Sequence, residues 1–172
     1  MEQPLITAVT HTTSEAKVTL TGVPDAPGAA ARIFEALADA NINVDMIVQN
    51  EPVAAGGMAE ISFTVPREDL RRAGAALEAL AGVAFANMST NDEMGKVSIV
   101  GAGMRSHPGV AAKVFGVLAE EGVNIEMIST SPIKISCVIG RDRVEQAVQA
   151  LHSAFGLAGE GTIAEEEPFK AL

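Results

Sequence analysis

Tryptophan and tyrosine are absent from this sequence, and cysteine occurs once. A single thiol, Cys137, excludes an intrachain disulfide, and its apolar, strand-like surroundings indicate a buried and inert residue. The three histidines, His11, His107 and His152, are scattered and lack the i, i+4 or cysteine-paired spacing of metal ligands. We therefore expect no metal site, no redox site and no cofactor.

Positive charge is also scarce. The chain has 12 Lys and Arg against 22 Asp and Glu, a formal net charge of −10 with no basic cluster to offset it. Such a chain repels polyanions, so neither nucleic acid nor an anionic membrane surface is expected as a partner. The apolar runs are far shorter than the ~20 residues that span a bilayer. The first residues lack the pattern of a secretion signal, so a cytoplasmic protein is expected.

What the sequence does contain is an internal repeat. Residues 17–50 and 96–131 align without gaps beyond their first loop, which is two residues longer in the second copy. The identical pairs are Gly28/Gly109, Ala31/Ala112, Phe34/Phe115, Leu37/Leu118, Asn43/Asn124, Met46/Met127 and Ile47/Ile128. The two copies are therefore expected to share a scaffold, but they need not share a ligand.

Each copy predicts the element order βαββα. Strands are predicted at residues 18–21, 44–48 and 60–65 of the first copy and at 97–100, 125–129 and 133–139 of the second. The first helices should begin at the Pro-Gly pairs 27–28 and 108–109, and the second helices should span residues 68–81 and 143–155. A further strand near residues 83–89 completes the βαββαβ pattern of a ferredoxin-like α+β fold in the first copy.

The second copy lacks this last strand, whereas residues 5–11 predict a strand that stands alone before the first copy. The simplest arrangement is that this strand completes the second sheet, so that the first domain is inserted into the second. The expected domains are residues 16–92 and residues 5–15 plus 93–157. Residues 158–172 are rich in Gly and Glu and are expected to form a flexible acidic tail.

The loop between the first strand and the first helix admits three interpretations. Val-Gly-Ala-Gly at residues 100–103 resembles a dinucleotide-binding turn, but Ser106 replaces the third glycine and Pro108 interrupts the turn. The glycines could instead serve only as turn residues. The third interpretation is an amino-acid site, because a helix start offers N–H groups to a carboxylate, and Asp25 could meet an ammonium or hydroxyl.

Four segments taken together make a more specific pattern. They are Gly-Val-Pro-Asp-Ala-Pro-Gly (22–28), Asn-Ile-Asn-Val-Asp-Met-Ile (41–47), Val-Gly-Ala-Gly-Met-Arg-Ser-His-Pro-Gly-Val (100–110) and Val-Asn-Ile-Glu-Met-Ile-Ser-Thr-Ser (123–131). This pattern resembles the tandem ACT domains of aspartate kinases, over residues 5–157. The kinase half of that family is not matched, so the resemblance implies the separate regulatory (beta) subunit, which has no catalytic residues. A truncated catalytic chain would look the same.

The resemblance also implies a function and partners. The family's regulatory region binds threonine, alone or together with lysine, and mediates allosteric feedback inhibition of aspartate-family amino-acid biosynthesis, including lysine biosynthesis. The implied partners are a second copy, through the ACT domains, and a catalytic (alpha) subunit, with which the holoenzyme phosphorylates L-aspartate from ATP.

The binding site implied by the resemblance lies where two ACT units meet. Asp25 would hold the ammonium group, the helix start would hold the carboxylate, and Gln49 would add a hydrogen bond. The complete implied set is Asp25, Pro27, Gly28, Ala30, Gln49, Asn124, Ile125 and Ser131, of which the last three come from the other unit. Gln49 could equally be an ordinary strand-end residue and Ile125 a core residue. Ala111 stands where some relatives have a hydroxyl, which leaves the effector's identity open.

Two other classes of function are compatible with this pattern. One is a different ACT-domain sensor, such as the small subunit of another biosynthetic enzyme or a transcriptional regulator, although no basic helix-turn-helix is present. The other is an enzyme with a ferredoxin-like fold, but no nucleophile, base and orienting group converge in the sequence. A regulatory amino-acid sensor is therefore the favoured hypothesis.

Overall fold

Nine strands and four α-helices are present in the computed structural model, which describes residues 5–52, 57–82, 84–102, 104, 107, 109–157 and 162–166. In chain order they are β1 (Leu5–Thr12), β2 (Glu15–Pro24), α1 (Ala29–Asp39), β3 (Asp45–Asn50), β4 (Met58–Pro66), α2 (Leu70–Glu78), β5 (Asn87–Asn91), β6 (Met94–Ala102), α3 (Gly109–Glu120), β7 (Ile125–Ser131), β8 (Lys134–Gly140), α4 (Val144–Ala154) and β9 (Thr162–Glu165). Within those ranges, no helix has both the length and the apolarity needed to cross a membrane.

The chain divides into two units. Residues 14–92 form what we call the inserted unit, and residues 5–13 together with 93–166 form the split unit. The inserted unit has an antiparallel sheet in the order β3-β4-β2-β5. The split unit has the order β7-β8-β6-β1-β9, in which β1 pairs antiparallel with β6. The prediction of two ferredoxin-like domains, with the first inserted into the second, is confirmed.

Each unit has its own hydrophobic core between its sheet and its helices. In the inserted unit, Leu20 and Phe63 from the sheet pack with Leu37 and Leu77 from the helices, and the Phe34 ring meets Phe63 edge-on with centroids 5.3 Å apart. The split unit's core is lined by residues of β6, β8, α3 and α4, among them Val97, Ile99, Ile139, Leu118 and Leu151. Because side chains alternate along a strand, the intervening residues of each sheet face away from the helices.

The first helix of each unit, α1 or α3, ends in the same way. Asn41, with φ 55°, and Gly122, with φ 66°, follow α1 and α3 and adopt the left-handed conformation that terminates a helix. The next N–H group donates back to the helix in both cases, from Ile42 to Leu37 O at 2.9 Å and from Val123 to Leu118 O at 2.8 Å. This shared ending sends the chain into β3 and β7 in the same direction relative to each helix.

Two predictions near the ends of the repeats are wrong in detail. The fourth strand of the inserted unit is Asn87–Asn91 instead of residues 83–89, since Ala84 and Phe85 are buried in the core before the strand begins, while Val83 lies outside the described residues. The tail predicted to be flexible contains β9, which pairs in parallel with β1 from Ala8/Thr162 to His11/Glu165. The rest of that segment, residues 158–161 and 167–172, lies outside the described residues.

Candidate functional site

The start of α1 is shaped by one glycine. After β2 ends at Pro24, the N–H of Ala26 donates to Pro24 O at 2.9 Å, and the chain reaches Gly28, which has φ 90° and ψ −10°. This left-handed conformation is strained for residues with a β-carbon, which explains glycine at the position that precedes the helix. No side chain caps α1. The Ala29 N–H donates to Ala26 O at 3.2 Å, so the N–H groups of Ala30 and Ala31 are those left for an outside acceptor.

The predicted contacts of the inserted unit cluster around this helix start. Asp25, Pro27 and Gly28 are exposed and Ala30 is half-buried. The side chain of Asp25 forms no hydrogen bond or ion pair with the described part of the chain. A free carboxylate beside uncapped N–H groups presents one negative and one partly positive feature, which is the complement of a zwitterionic amino acid.

Gln49 lies on the helix side of the same sheet. It is an exposed residue of edge strand β3 and stands opposite Ile61, which belongs to the core beneath α1 and α2. Residues directly opposite on paired antiparallel strands share a face. The Gln49 amide is therefore on the face that carries the start of α1, as a contact to the same ligand requires.

The predicted contacts of the split unit are not all together. Asn124 is exposed immediately before β7, Ile125 begins β7, and Ser131 ends it. A seven-residue strand separates its ends by about 20 Å at roughly 3.3 Å per residue, so Ser131 is too far from Asn124 and Ile125 to share a small ligand with them within this unit. Ser131 belongs to the implied set but therefore lies apart from Asn124 and Ile125 within the split unit.

Ile125 also has a structural role. It is half-buried, packs against the core of the split unit and stands opposite Ile139. Its contribution to the core accounts for an apolar residue at this position without any ligand.

Ser131 instead borders an open cleft of about 450 Å³ in the split unit. The cleft lies between the start of α3 and the turn from β7 to β8, and its lining residues are Met104, His107, Val110, Ala111, Thr130, Ser131, Pro132 and Ile135. Sequence reasoning missed most of these residues. The repeat offered the signal, because Ala111 aligns with Ala30 and Thr130 aligns with Gln49.

The described residues offer little else that resembles a reactive centre. They contain no group of three or more His, Cys, Asp or Glu side chains that could hold a metal ion. Burial raises the pKa of the Cys137 thiol to about 11, so the thiol is protonated at neutral pH and is a poor nucleophile. The dinucleotide interpretation of residues 100–103 is wrong, because β6 is paired antiparallel on both sides and a dinucleotide-binding turn needs a parallel sheet.

Comparison with known proteins identifies the family. A family model for the ACT domain matches residues 18–80 and 97–155. The regulatory subunit of aspartate kinase from Thermus thermophilus, solved in a ligand-free form, is 41% identical, with a TM-score of 0.81 over 88% of this chain and 99% of that one. This chain belongs to the ACT-domain regulatory regions of aspartate kinases. A crystal structure of aspartokinase alpha and beta subunits matches such a region at 47% identity, with a TM-score of 0.80 over 88% of this chain and 99% of that one.

Other aspartate kinases contain the same regulatory region as part of a longer chain. The aspartokinase of Mycolicibacterium smegmatis is 48% identical over 161 residues, which are 93% of this chain and 38% of that relative. The chain thus spans little more than a third of the length of such curated relatives. Aspartokinase III of E. coli, solved in complex with lysine and aspartate, is 27% identical, with a TM-score of 0.68 over 89% of this chain and 34% of that one.

Proposed function

We propose that this chain is the regulatory subunit of an aspartate kinase and that it binds threonine, alone or together with lysine. The observation that carries the proposal is the start of α1, where uncapped N–H groups and the unpartnered Asp25 carboxylate are exposed side by side. These groups fit the carboxylate and the ammonium of an amino acid, respectively. The complex of E. coli aspartokinase III with lysine supports an amino-acid effector for this family.

The site would be completed by another ACT unit. Gln49 lies on the same sheet face as the helix start, and Asn124 presents an exposed side chain at the beginning of β7. A ligand that contacts both units stabilises whichever assembly brings them together. Feedback inhibition then follows if that assembly holds the catalytic partner in an inactive arrangement, with a coupling free energy of about 1–3 kcal/mol.

Two exposed isoleucines support association through the sheet edges. Ile47 on β3 and Ile128 on β7 occupy equivalent positions of the repeat, on edge strands, and are 53% and 43% exposed. Edge strands with exposed apolar side chains favour pairing with another chain. We therefore expect a homodimer through the ACT domains and, with the catalytic alpha subunit, a larger complex that phosphorylates L-aspartate.

Calorimetry tests the proposed site directly. The full chain is titrated with each of the twenty amino acids, and lysine is also titrated into threonine-saturated protein. Threonine should bind, and Asp25→Ala should weaken its affinity at least about tenfold, because a hydrogen bond to a charged group contributes roughly 1.5–3 kcal/mol.

Asp39→Ala is the matched control, since Asp39 is also exposed but lies at the other end of α1. Its affinity for threonine should equal that of the wild type. Binding that is absent for threonine and lysine alike, or that Asp25→Ala and Asp39→Ala leave equally unchanged, would remove the proposed site. Phosphorylation of aspartate by the purified chain alone would contradict a purely regulatory role.

A further inference from the structure

A buried lysine lies on the side of the split unit's sheet that faces away from its helices. Val97 and Ile99 of β6 point into the core with α3 and α4, so the alternating residues Lys96 and Ser98 point the other way. Lys96 is only 3% exposed. A buried ammonium group is costly unless an anion is close to it, so this position calls for a carboxylate.

That carboxylate comes from the segment that follows β9. The Lys134 Nζ donates a hydrogen bond to Glu166 Oε1 at 2.6 Å, and the Lys96 Nζ lies 3.2 Å from Glu166 Oε2. The Thr10 hydroxyl also donates to Glu166 Oε1. One side chain thus joins residues of β1, β6 and β8, and the backbone N–H of Glu166 donates to His11 O at 2.6 Å.

The electrostatics of this contact are strong. Burial alone would raise the pKa of Glu166, but the hydrogen bonds from Lys134 and Thr10 and the positive charges of Lys96 and Lys134 outweigh it and lower the pKa to about 2. The Glu166 carboxylate is therefore ionised throughout the physiological pH range.

The repeat shows why an additional carboxylate is needed here. Thr19 stands opposite Ser62 in the inserted unit and Ser98 stands opposite Ser136 in the split unit, which fixes the equivalence of the two sheets. By this register Lys17 corresponds to Lys96, whereas Glu60 corresponds to Lys134. The inserted unit places a lysine and an acid on this face, and the split unit places two lysines there, both of which contact Glu166.

We propose that Lys96 and Lys134 form a carboxylate-binding site that the chain's own Glu166 fills, and that this contact latches β9 onto β1. The latch covers a strand edge, because β1 would otherwise end the sheet with unpaired backbone groups. When Glu166 leaves the two lysines and β9 separates from β1, both the edge of β1 and the lysine pair become exposed. The ligand that fits this combination is a short extended segment carrying a glutamate, and the tail of a second copy is such a segment.

Amide hydrogen exchange on the full chain tests the latch. Glu166→Gln keeps the shape of the side chain but removes its charge, so the amides of Ala164 and Glu166 and their neighbours in β1 should exchange about tenfold faster, as expected when a charge-assisted hydrogen bond is weakened. Glu165→Gln is the matched control, because Glu165 is the adjacent residue and is exposed. Equal exchange rates in the wild type and both variants would overturn the proposal.

The Lys134→Glu variant distinguishes loss of the Glu166 contact from unfolding of the split unit. It gives the split unit the lysine and acid of the inserted unit, so Lys96 keeps an anionic neighbour while Glu166 is repelled. The amides of β9 should again exchange faster, whereas those in the middle of α3 and α4 should keep their protection. If β9 stays as protected as in the wild type, Lys134 does not hold Glu166 and the proposal fails. This variant also decides the question if Glu166→Gln lowers the stability of the whole unit.

A labelled synthetic peptide of residues 158–172 tests the site as a receptor. Fluorescence anisotropy should show binding to the full chain carrying Glu166→Gln and at least about tenfold weaker binding to the wild type, whose site is filled. A peptide that itself carries Glu166→Gln should bind neither chain. Equal binding of the two peptides would show that the lysine pair does not recognise the carboxylate. These outcomes do not depend on the proposed effector site, because neither Lys96 nor Lys134 belongs to that site.

Discussion

The two units differ most on the sheet face that carries no helix, although both derive from the same repeat. In the inserted unit the Thr19 and Ser62 hydroxyls are 2.9 Å apart and half-buried. The equivalent Ser98 and Ser136 hydroxyls of the split unit are 2.8 Å apart and buried. The same backbone therefore supports a half-buried hydroxyl pair in one unit and a fully buried pair in the other.

This difference shows how duplicated units acquire separate roles. The inserted unit keeps a helix start without a side-chain cap beside the exposed Asp25, where we propose the effector site. The split unit uses a carboxylate from its own tail to neutralise Lys96 and Lys134, and it gains a fifth strand in doing so. Where the inserted unit has the acid Glu60, the split unit has Lys134, and the carboxylate that pairs with Lys134 comes from a distant segment.

Removal of β1 should have the largest effect, and it should affect the split unit alone. Deletion of residues 1–12 takes Val9 out of the split unit's core and removes the strand between β6 and β9, while the inserted unit keeps all four of its strands. We expect a loss comparable to a domain's whole stability, about 5–15 kcal/mol, in the split unit. Amide exchange should show loss of protection in α3 and α4 and retained protection in α1 and α2. Equal loss in both pairs of helices would contradict the assignment of β1 to the distant unit.

A matched pair of serine substitutions compares the two hydroxyl pairs. Ser136→Ala leaves the Ser98 hydroxyl, which is 1% exposed, without its partner, so the free energy of unfolding should fall by about 1–2 kcal/mol. Ser62→Ala leaves Thr19 half-buried, where water can replace the lost partner, and should cost about 0.5 kcal/mol or less. Denaturant unfolding of the two variants measures both values. A cost for Ser62→Ala as large as that for Ser136→Ala would show that burial does not distinguish the two faces.

The pH dependence of the latch provides a last comparison, with an expected effect smaller than that of Ser136→Ala. The pKa of Glu166 falls from an ordinary 4.5 to about 2 on folding, so its contribution to stability is complete above pH 4.5, declines as the pH falls, and is lost below about pH 2. Because Glu166 and Lys134 are partly exposed, solvent screening reduces this contribution to about 1 kcal/mol. The difference in unfolding free energy between the wild type and Glu166→Gln should therefore shrink between pH 4.5 and 2. A difference that stays constant over this range would exclude titration of Glu166 as its source.

The sequence was sufficient for those parts of the structure that are local or periodic. The Pro-Gly pairs placed the helix starts, and the unmatched strand at residues 5–11 predicted the insertion because the second repeat lacked a fourth strand of its own. The surroundings of Asp25 follow from a short stretch of chain, so the character of the α1 start could also be predicted. Whether that start binds threonine or lysine stays a prediction.

Contacts between distant segments could not be predicted in this way. Strand β9 has four residues in a segment rich in Gly and Glu, and it is held by contacts such as that of Glu166 with Thr10, which are 156 residues apart. The separation of Ser131 from Asn124 follows from the length of β7, whereas the cleft beside Ser131 combines two separate segments, residues 104–111 and 130–135. The correspondence between Glu60 and Lys134 became visible only with the strand register of the two sheets.

The path of the chain through the split unit also sets an order of events during synthesis. Strand β1 is made before its partner β6, from which the whole inserted unit separates it, and β9 follows later still. The inserted unit can collapse as soon as β5 is made, because all of its pairings lie within residues 14–92. During that interval both edges of β1 are unpaired, so this strand can pair with other chains until β6 is made.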